Sequence, residues 1–146
     1  FVQLLGSQND MATIRLTINE NTYVDKAEEV MKKLKDASAK PGKRGKDTMV
    51  TTSQIRNLLA MTADIYNQIL NEPGENLSAE VRGRIEYLRV RFLYEAGRDD
   101  KVKAFVETAD ILKLLREIQN KRQNFLLFNR YMEALVAFHR YYGGQD

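Results

Sequence analysis

Between Gln123 and Tyr142 the chain reads QNFLLFNRYMEALVAFHRYY, and few architectures can accommodate such a stretch. Phe125, Phe128, Met132, Leu135, Val136 and His139 follow the i, i+3, i+4, i+7 spacing of one helical face. Leu126, Leu127, Tyr131, Ala134 and Phe138 carry the apolar character around much of the circumference. A helix that is hydrophobic nearly all round must be covered by other elements, which predicts a central strut of a helical bundle. At about 20 residues, with Arg130, Glu133 and Arg140 inside it, the segment is a poor membrane span.

The chain has 146 residues, enough for one domain that buries about two-thirds of its unfolded surface. Cysteine is missing from it, which excludes disulfides and thiolate metal sites and fits a reducing cytoplasm. The net charge of +3 is too small to imply a nucleic-acid partner, so the distribution of charge must carry that argument. The start, FVQLLGSQNDMATIRL, has neither the basic leader nor the long apolar run of a secretory signal. Residue 1 is Phe rather than Met, which leaves Met11 as a candidate natural start and sets 1–10 outside the fold.

Along residues 1–21 only TIRLTI (Thr13 to Ile18) alternates, and one strand without a partner predicts a flexible, extended arm. The helical domain is expected over 22–146. Thr22 can cap a first helix with Val24, Ala27, Met31 and Leu34 inside and Lys26, Glu28, Glu29, Lys32 and Lys33 outside. Pro41, Gly42 and Gly45 then break regular structure in a loop carrying Lys40, Lys43, Arg44 and Lys46. Thr51 and Gln54 form a capping box that opens a second helix to about Asn71. Its expected stripe is Ile55, Leu58, Leu59, Thr62, Ile65, Tyr66, Ile69 and Leu70. Ser78 caps a third helix running to Ala96, with Gly97 as its stop. Asp99 or Asp100 begins a shorter helix through Val102, Phe105 and Val106. The apolar phase breaks at Thr108 to Asp110 and resumes at Ile111, Leu114, Leu115 and Ile118, so a kink or two short helices are predicted. The turn at Asn120 to Gln123 leads into the final helix, which Gly143 and Gly144 end. The fold class is all-α, a compact bundle of five to six helices.

The third helix carries the most distinctive surface. Val81, Ile85, Leu88, Phe92 and Ala96 make its apolar stripe. One flank gathers Arg84, Tyr87, Arg91, Tyr94 and Arg98, and the other Arg82 and Arg89, with Glu86 nearby. Guanidinium forks match phosphate oxygens, and arginine with tyrosine can meet sugars or exposed bases, so this pattern suits an RNA backbone. The competing reading places the same arginines in ion pairs with Glu86, Glu95 and neighbouring helices. The basic loop Lys40 to Lys46 and Arg56 on the second helix favour the nucleic-acid reading, although a basic loop also serves as a solvated linker.

Constellations for catalysis are poor. His139 is the only histidine, and its place on an apolar face predicts a hydrogen-bonded core residue. Phosphate-binding loops, HExxH and Cys/His clusters are not found. Asp99-Asp100 reads as a helix cap rather than a metal pair. Arg130 and Glu133 are expected to satisfy each other as a buried or half-buried pair. Neither a catalytic residue, a metal ligand nor a cofactor is expected.

Four stretches, TTSQIRNLL (Thr51 to Leu59), YLRVRFLYEAGR (Tyr87 to Arg98), FNRYMEALVAFHRYYGG (Phe128 to Gly144) and YVDKAEE (Tyr23 to Glu29), together resemble the small helical subunit of type III-A CRISPR–Cas interference complexes, the Csm complexes. The resemblance spans Asn21 to Asp146. It implies an all-α, non-catalytic, cytoplasmic subunit of antiviral defence. Its copies stack beside the guide-carrying backbone subunits, contact the large subunit, and line the groove that holds the CRISPR RNA and its paired target RNA. Chosen by charge and helical phase, the expected RNA contacts are Arg56, Arg84, Arg89, Arg91 and Arg98. Arg82, Lys43, Arg44, Lys46 and Lys101 form an outer field. A protein adaptor without nucleic-acid contact is the alternative.

Overall fold

Helix–helix packing organises the chain: the computed structural model, which describes residues 16–38 and 49–144, contains six α-helices. They are α1 (Tyr23–Ser38), α2 (Thr52–Leu70), α3 (Ala79–Arg98), α4 (Asp100–Thr108), α5 (Ile111–Ile118) and α6 (Arg122–Tyr141). The described residues hold no strand, only one isolated bridge between Asn76 and Lys121. That bridge, with Leu77 N–H donating to the Asn120 carbonyl at 2.8 Å, ties the α2–α3 loop to the α5–α6 turn. Lys43, Arg44 and Lys46, together with 1–15, lie outside the described residues.

As expected, α6 is the strut. It packs against α1, α2 and α5, and Phe125, Phe128, Tyr131, Met132 and Leu135 on it are fully buried. The Tyr131 hydroxyl donates to the Ala109 carbonyl at 2.9 Å, so the ring brings its own polar partner into the core. His139 is buried too, and its Nε2 meets the Val50 carbonyl at 2.6 Å. Arg130 and Glu133 do not pair: both stand exposed on the outer face of α6, because its buried side is wholly apolar apart from Asn129 and His139.

The Thr51–Gln54 capping box opens α2 as the sequence predicts, each side chain accepting from the other's backbone N–H. Of its expected stripe, Leu59 and Tyr66 are half-buried at the edges and Leu70, in the last turn, is exposed. In α1 the core positions are Ala27, Val30, Met31 and Leu34. Val24, off the centre of that stripe and in the first turn, is exposed. Thr22 directly precedes α1, its carbonyl accepting from Lys26 N–H at 3.0 Å, while its Oγ1 accepts from Asn19 N–H at 2.9 Å and the Asn19 carbonyl accepts from the N–H groups of Thr22 and Tyr23.

The described end of the N-terminal arm is seated, not free. Ile18 is 2% exposed, and the buried Glu117 carboxylate accepts from Thr17 N–H at 2.7 Å and Thr17 Oγ1 at 3.0 Å. Leu16 and Ile18, in the described end of the TIRLTI stretch, therefore pack on the helical core.

Gly97 does not end α3. It stays helical, and the helix runs on to Arg98 until Asp99 adopts an extended backbone, φ −149° and ψ 119°. The break near Thr108 to Asp110 is real: Asp110 is left-handed at φ 57° and separates α4 from α5. Lys26 of α1 binds this joint through Asp110 Oδ2 at 3.0 Å.

Candidate nucleic-acid interface

Ser78 starts α3 by accepting from Val81 N–H at 3.2 Å. From there Val81, Ile85, Leu88, Phe92 and Ala96 bury the predicted stripe, seated on α2, α4 and α5 rather than on α6. That seating fixes where every arginine of α3 stands.

Arg84, Arg91 and Arg98 share the flank turned to α2, one at each seventh residue and so about 10.5 Å apart along the axis. Together with α2 they border a groove made of two hollows that share Met61, Asp64 and Arg91. Gln54, Asn57, Met61 and Asp64 form its α2 wall, and Tyr87, Arg91, Glu95 and Arg98 its α3 wall. Arg84 is half-buried and donates to Gln68 Oε1. Glu95 answers two arginines, Arg91 through Oε2 at 3.5 Å and Arg98 through Oε1 at 3.7 Å. Arg98 also lies over the Tyr94 ring, 5.8 Å from its centroid.

The remaining candidates do not join this row. Arg89 pairs with Glu86 at 2.9 Å on the opposite flank, where Arg82 is exposed. Arg56 is exposed on α2 and does not line the groove. Lys101 is half-buried in the first turn of α4, its N–H donating to Asp99. The ion-pair reading and the groove reading thus both hold in part: Arg89, Arg91 and Arg98 have carboxylate partners, yet the last two still face open space.

Asp99 closes one end of the groove and is heavily engaged. Burial pushes its carboxyl up, but hydrogen bonds from Val102 and Lys101 N–H and from the Gln54 amide, with the Lys101 charge, outweigh it and hold the group below its usual value. Helical phase alone does not disclose the groove's α2 wall, because Gln54, Asn57 and Asp64 read as ordinary solvent positions. Nor does it disclose how exposed the outer face of α3 is: Tyr87, Val90, Leu93 and Tyr94 are each more than half exposed. The available signal was that Val90 and Leu93 fall off the buried stripe.

Among the described residues, no group of three or more His, Asp or Glu could hold a metal ion. No described helix is long and apolar enough to cross a membrane.

The model of the type III-A Csm2 family matches residues 28–145. The chain belongs to the Csm2 family of type III-A CRISPR systems. All three groove arginines lie inside the matched region. A Csm2 protein of Streptococcus thermophilus, named CRISPR system Cms protein Csm2, is 40% identical over 129 residues, covering 88% of this chain and 98% of the relative. The protein of the same name from Enterococcus italicus is 35% identical over 144 residues, 94% of this chain and 91% of the relative. In Mycobacterium tuberculosis the counterpart is 40% identical over 97 residues, 66% of this chain and 78% of its own. Membership of the Csm2 family makes the chain a type III-A Csm subunit, as the four sequence motifs implied.

Proposed function

We propose that this Csm2-family chain is a non-catalytic RNA-binding and scaffolding subunit of a cytoplasmic antiviral effector complex. In this reading it contacts the sugar–phosphate backbone of the guide–target RNA duplex, stacks with further copies of itself, and touches the large and guide-carrying backbone subunits. The observation that carries it is the row Arg84, Arg91 and Arg98 along the α2–α3 groove. Three guanidinium forks at a regular rise suit a repeating anion. Lys43, Arg44 and Lys46 belong to the proposed outer field by charge alone. Each Arg→Ala change in the row should weaken RNA binding for every guide sequence and lower the salt slope by about one unit or less. Salt-independent affinity across these variants would sink the reading.

A second reading rests on the outer face of α3. Tyr87, Val90, Leu93 and Tyr94 expose more apolar surface than a lone helix face needs, and tyrosine with arginine is common at protein interfaces. If this face is a subunit joint, Val90→Ser with Leu93→Ser will lose assembly on size exclusion before it loses RNA affinity. Ultraviolet crosslinks from α3 to target RNA in the assembled complex favour the first reading, and their complete lack favours the adaptor.

A further inference from the structure

Within the groove row, Arg91 and Arg98 share one carboxylate. Glu95 lies four residues after Arg91 and three before Arg98, so it stands between their side chains on the same flank. Each of its oxygens faces a different guanidinium, at 3.5 Å and 3.7 Å. Both distances exceed the about 2.7–2.9 Å of a tight charge-assisted bond. On the opposite flank the Arg89–Glu86 pair closes to 2.9 Å. The Glu95 side chain is 25% exposed and lines the groove beside both arginines. Asp99 at the groove end is committed to capping α4 and to Gln54, and Asp64 stands on the other wall.

We infer that Glu95 is an internal stand-in for a phosphate, holding Arg91 and Arg98 toward the groove until an RNA phosphate displaces it. The inference rests on the RNA reading above and assigns Glu95 as a positioning residue that limits affinity. A loosely held carboxylate between two forks is readily exchanged, since exposed pairs of this kind contribute little. A phosphate oxygen offers both guanidiniums closer, charge-assisted bonds. Once the phosphate is seated, the Glu95 charge remains nearby and opposes it. Glu95 thus lends the free protein an ordered pair of arginines and takes back part of the binding strength.

The test measures full-chain binding to a fluorescein-labelled RNA duplex by anisotropy for Glu95→Gln, which keeps shape and removes charge. Glu80→Gln is the charge-matched control: Glu80 lies on the same side of α3, is exposed, and makes no ion pair among the described residues. Glu95→Gln should tighten binding about three- to tenfold, and the gain should vanish when Arg91 and Arg98 are both Ala. Equal tightening by Glu80→Gln would reduce the effect to the general field and overturn the inference. So would unchanged or weaker binding by Glu95→Gln while Arg91→Ala and Arg98→Ala still lose affinity. If neither arginine matters to RNA, the RNA reading itself fails. Thermal melts of both Gln variants verify that the fold is retained.

Discussion

Gln54 Nε2 donates to Asp99 Oδ2 at 2.9 Å, joining the first turn of α2 to the junction of α3 and α4. The other end of the same amide accepts from Thr51 N–H at 2.9 Å. Asp99 in turn caps α4, accepting from Lys101 N–H at 2.8 Å and Val102 N–H at 3.3 Å. Two helix starts far apart in sequence are therefore held by one contact, and the groove ends where they meet. Gln54→Ala removes half of the capping box and this tie together, and should cost about 1–2 kcal/mol in urea unfolding. Gln54→Glu should cost more, because it sets a second carboxylate against Asp99.

Asp99 also makes stability depend on pH. Its folded carboxyl is held below the ordinary 3.8 despite the opposing effect of burial. The unfolded chain therefore takes up its proton first as pH falls, and the stabilisation present above that value is lost through the folded one. Asp99→Asn should be less stable than the parent at pH 7. Its denaturation midpoint should then fall less between pH 5 and pH 3, which parallel urea titrations would show.

Gly144 lies against the imidazole of His139, so closely that a Cβ there would collide with the ring. Its N–H donates to the His139 carbonyl at 2.8 Å, and its own carbonyl accepts from Thr52 Oγ1 at 3.4 Å. Gly144→Ala should lower stability by about 1–3 kcal/mol, read as a drop in Tm, because ring and backbone must part. Ala at Gly143, whose φ is +85°, should also destabilise, but through backbone strain rather than collision.

Burial pushes the Tyr131 phenol well above its usual value, with the charges of Asp110 and Glu29 acting in the same direction. The hydroxyl is there to donate. Tyr131→Phe leaves the Ala109 carbonyl buried without that donor, where α4 gives way to α5, and should cost about 1–2 kcal/mol by calorimetry.

Among the arginines, position relative to the groove should set the ranking. Arg84→Ala, Arg91→Ala and Arg98→Ala are each expected to lose more RNA affinity than Arg56→Ala, which lies off the groove. Anisotropy titrations at several salt concentrations give both affinity and slope. The triple variant should lower the slope by up to about three units.

Local chemistry explains what could be read from the residues alone. The Thr51–Gln54 box, the Ser78 cap, the α3 stripe and the break at Asp110 depend on neighbours within a few positions, and all are present. Gly97 misled because a glycine can end a helix yet need not, and Asp99 does so instead. The Arg130–Glu133 pairing failed because spacing shows that two groups can meet, not that either is buried. The arginine row was visible as a phase, but its facing wall was not. Gln54, Asn57 and Asp64 become a wall only because α2 and α3 pack with those sides adjoining, a tertiary fact without a local signature. Glu95 differs: its place four residues after Arg91 and three before Arg98 is local spacing on one helix.

The strut at the centre of this bundle is also synthesised after everything it covers. The stripes of α1 and α2 close mainly on α6, so while the ribosome is still making residues before 122 those faces have only their smaller contacts with α4 and α3. The nascent protein must carry exposed apolar surface through most of its translation and hide it in one late step. Any ribosome stalled before α6 would release not a smaller bundle but a sticky, unfinished one, which gives the cell a reason to keep chaperones close to this message.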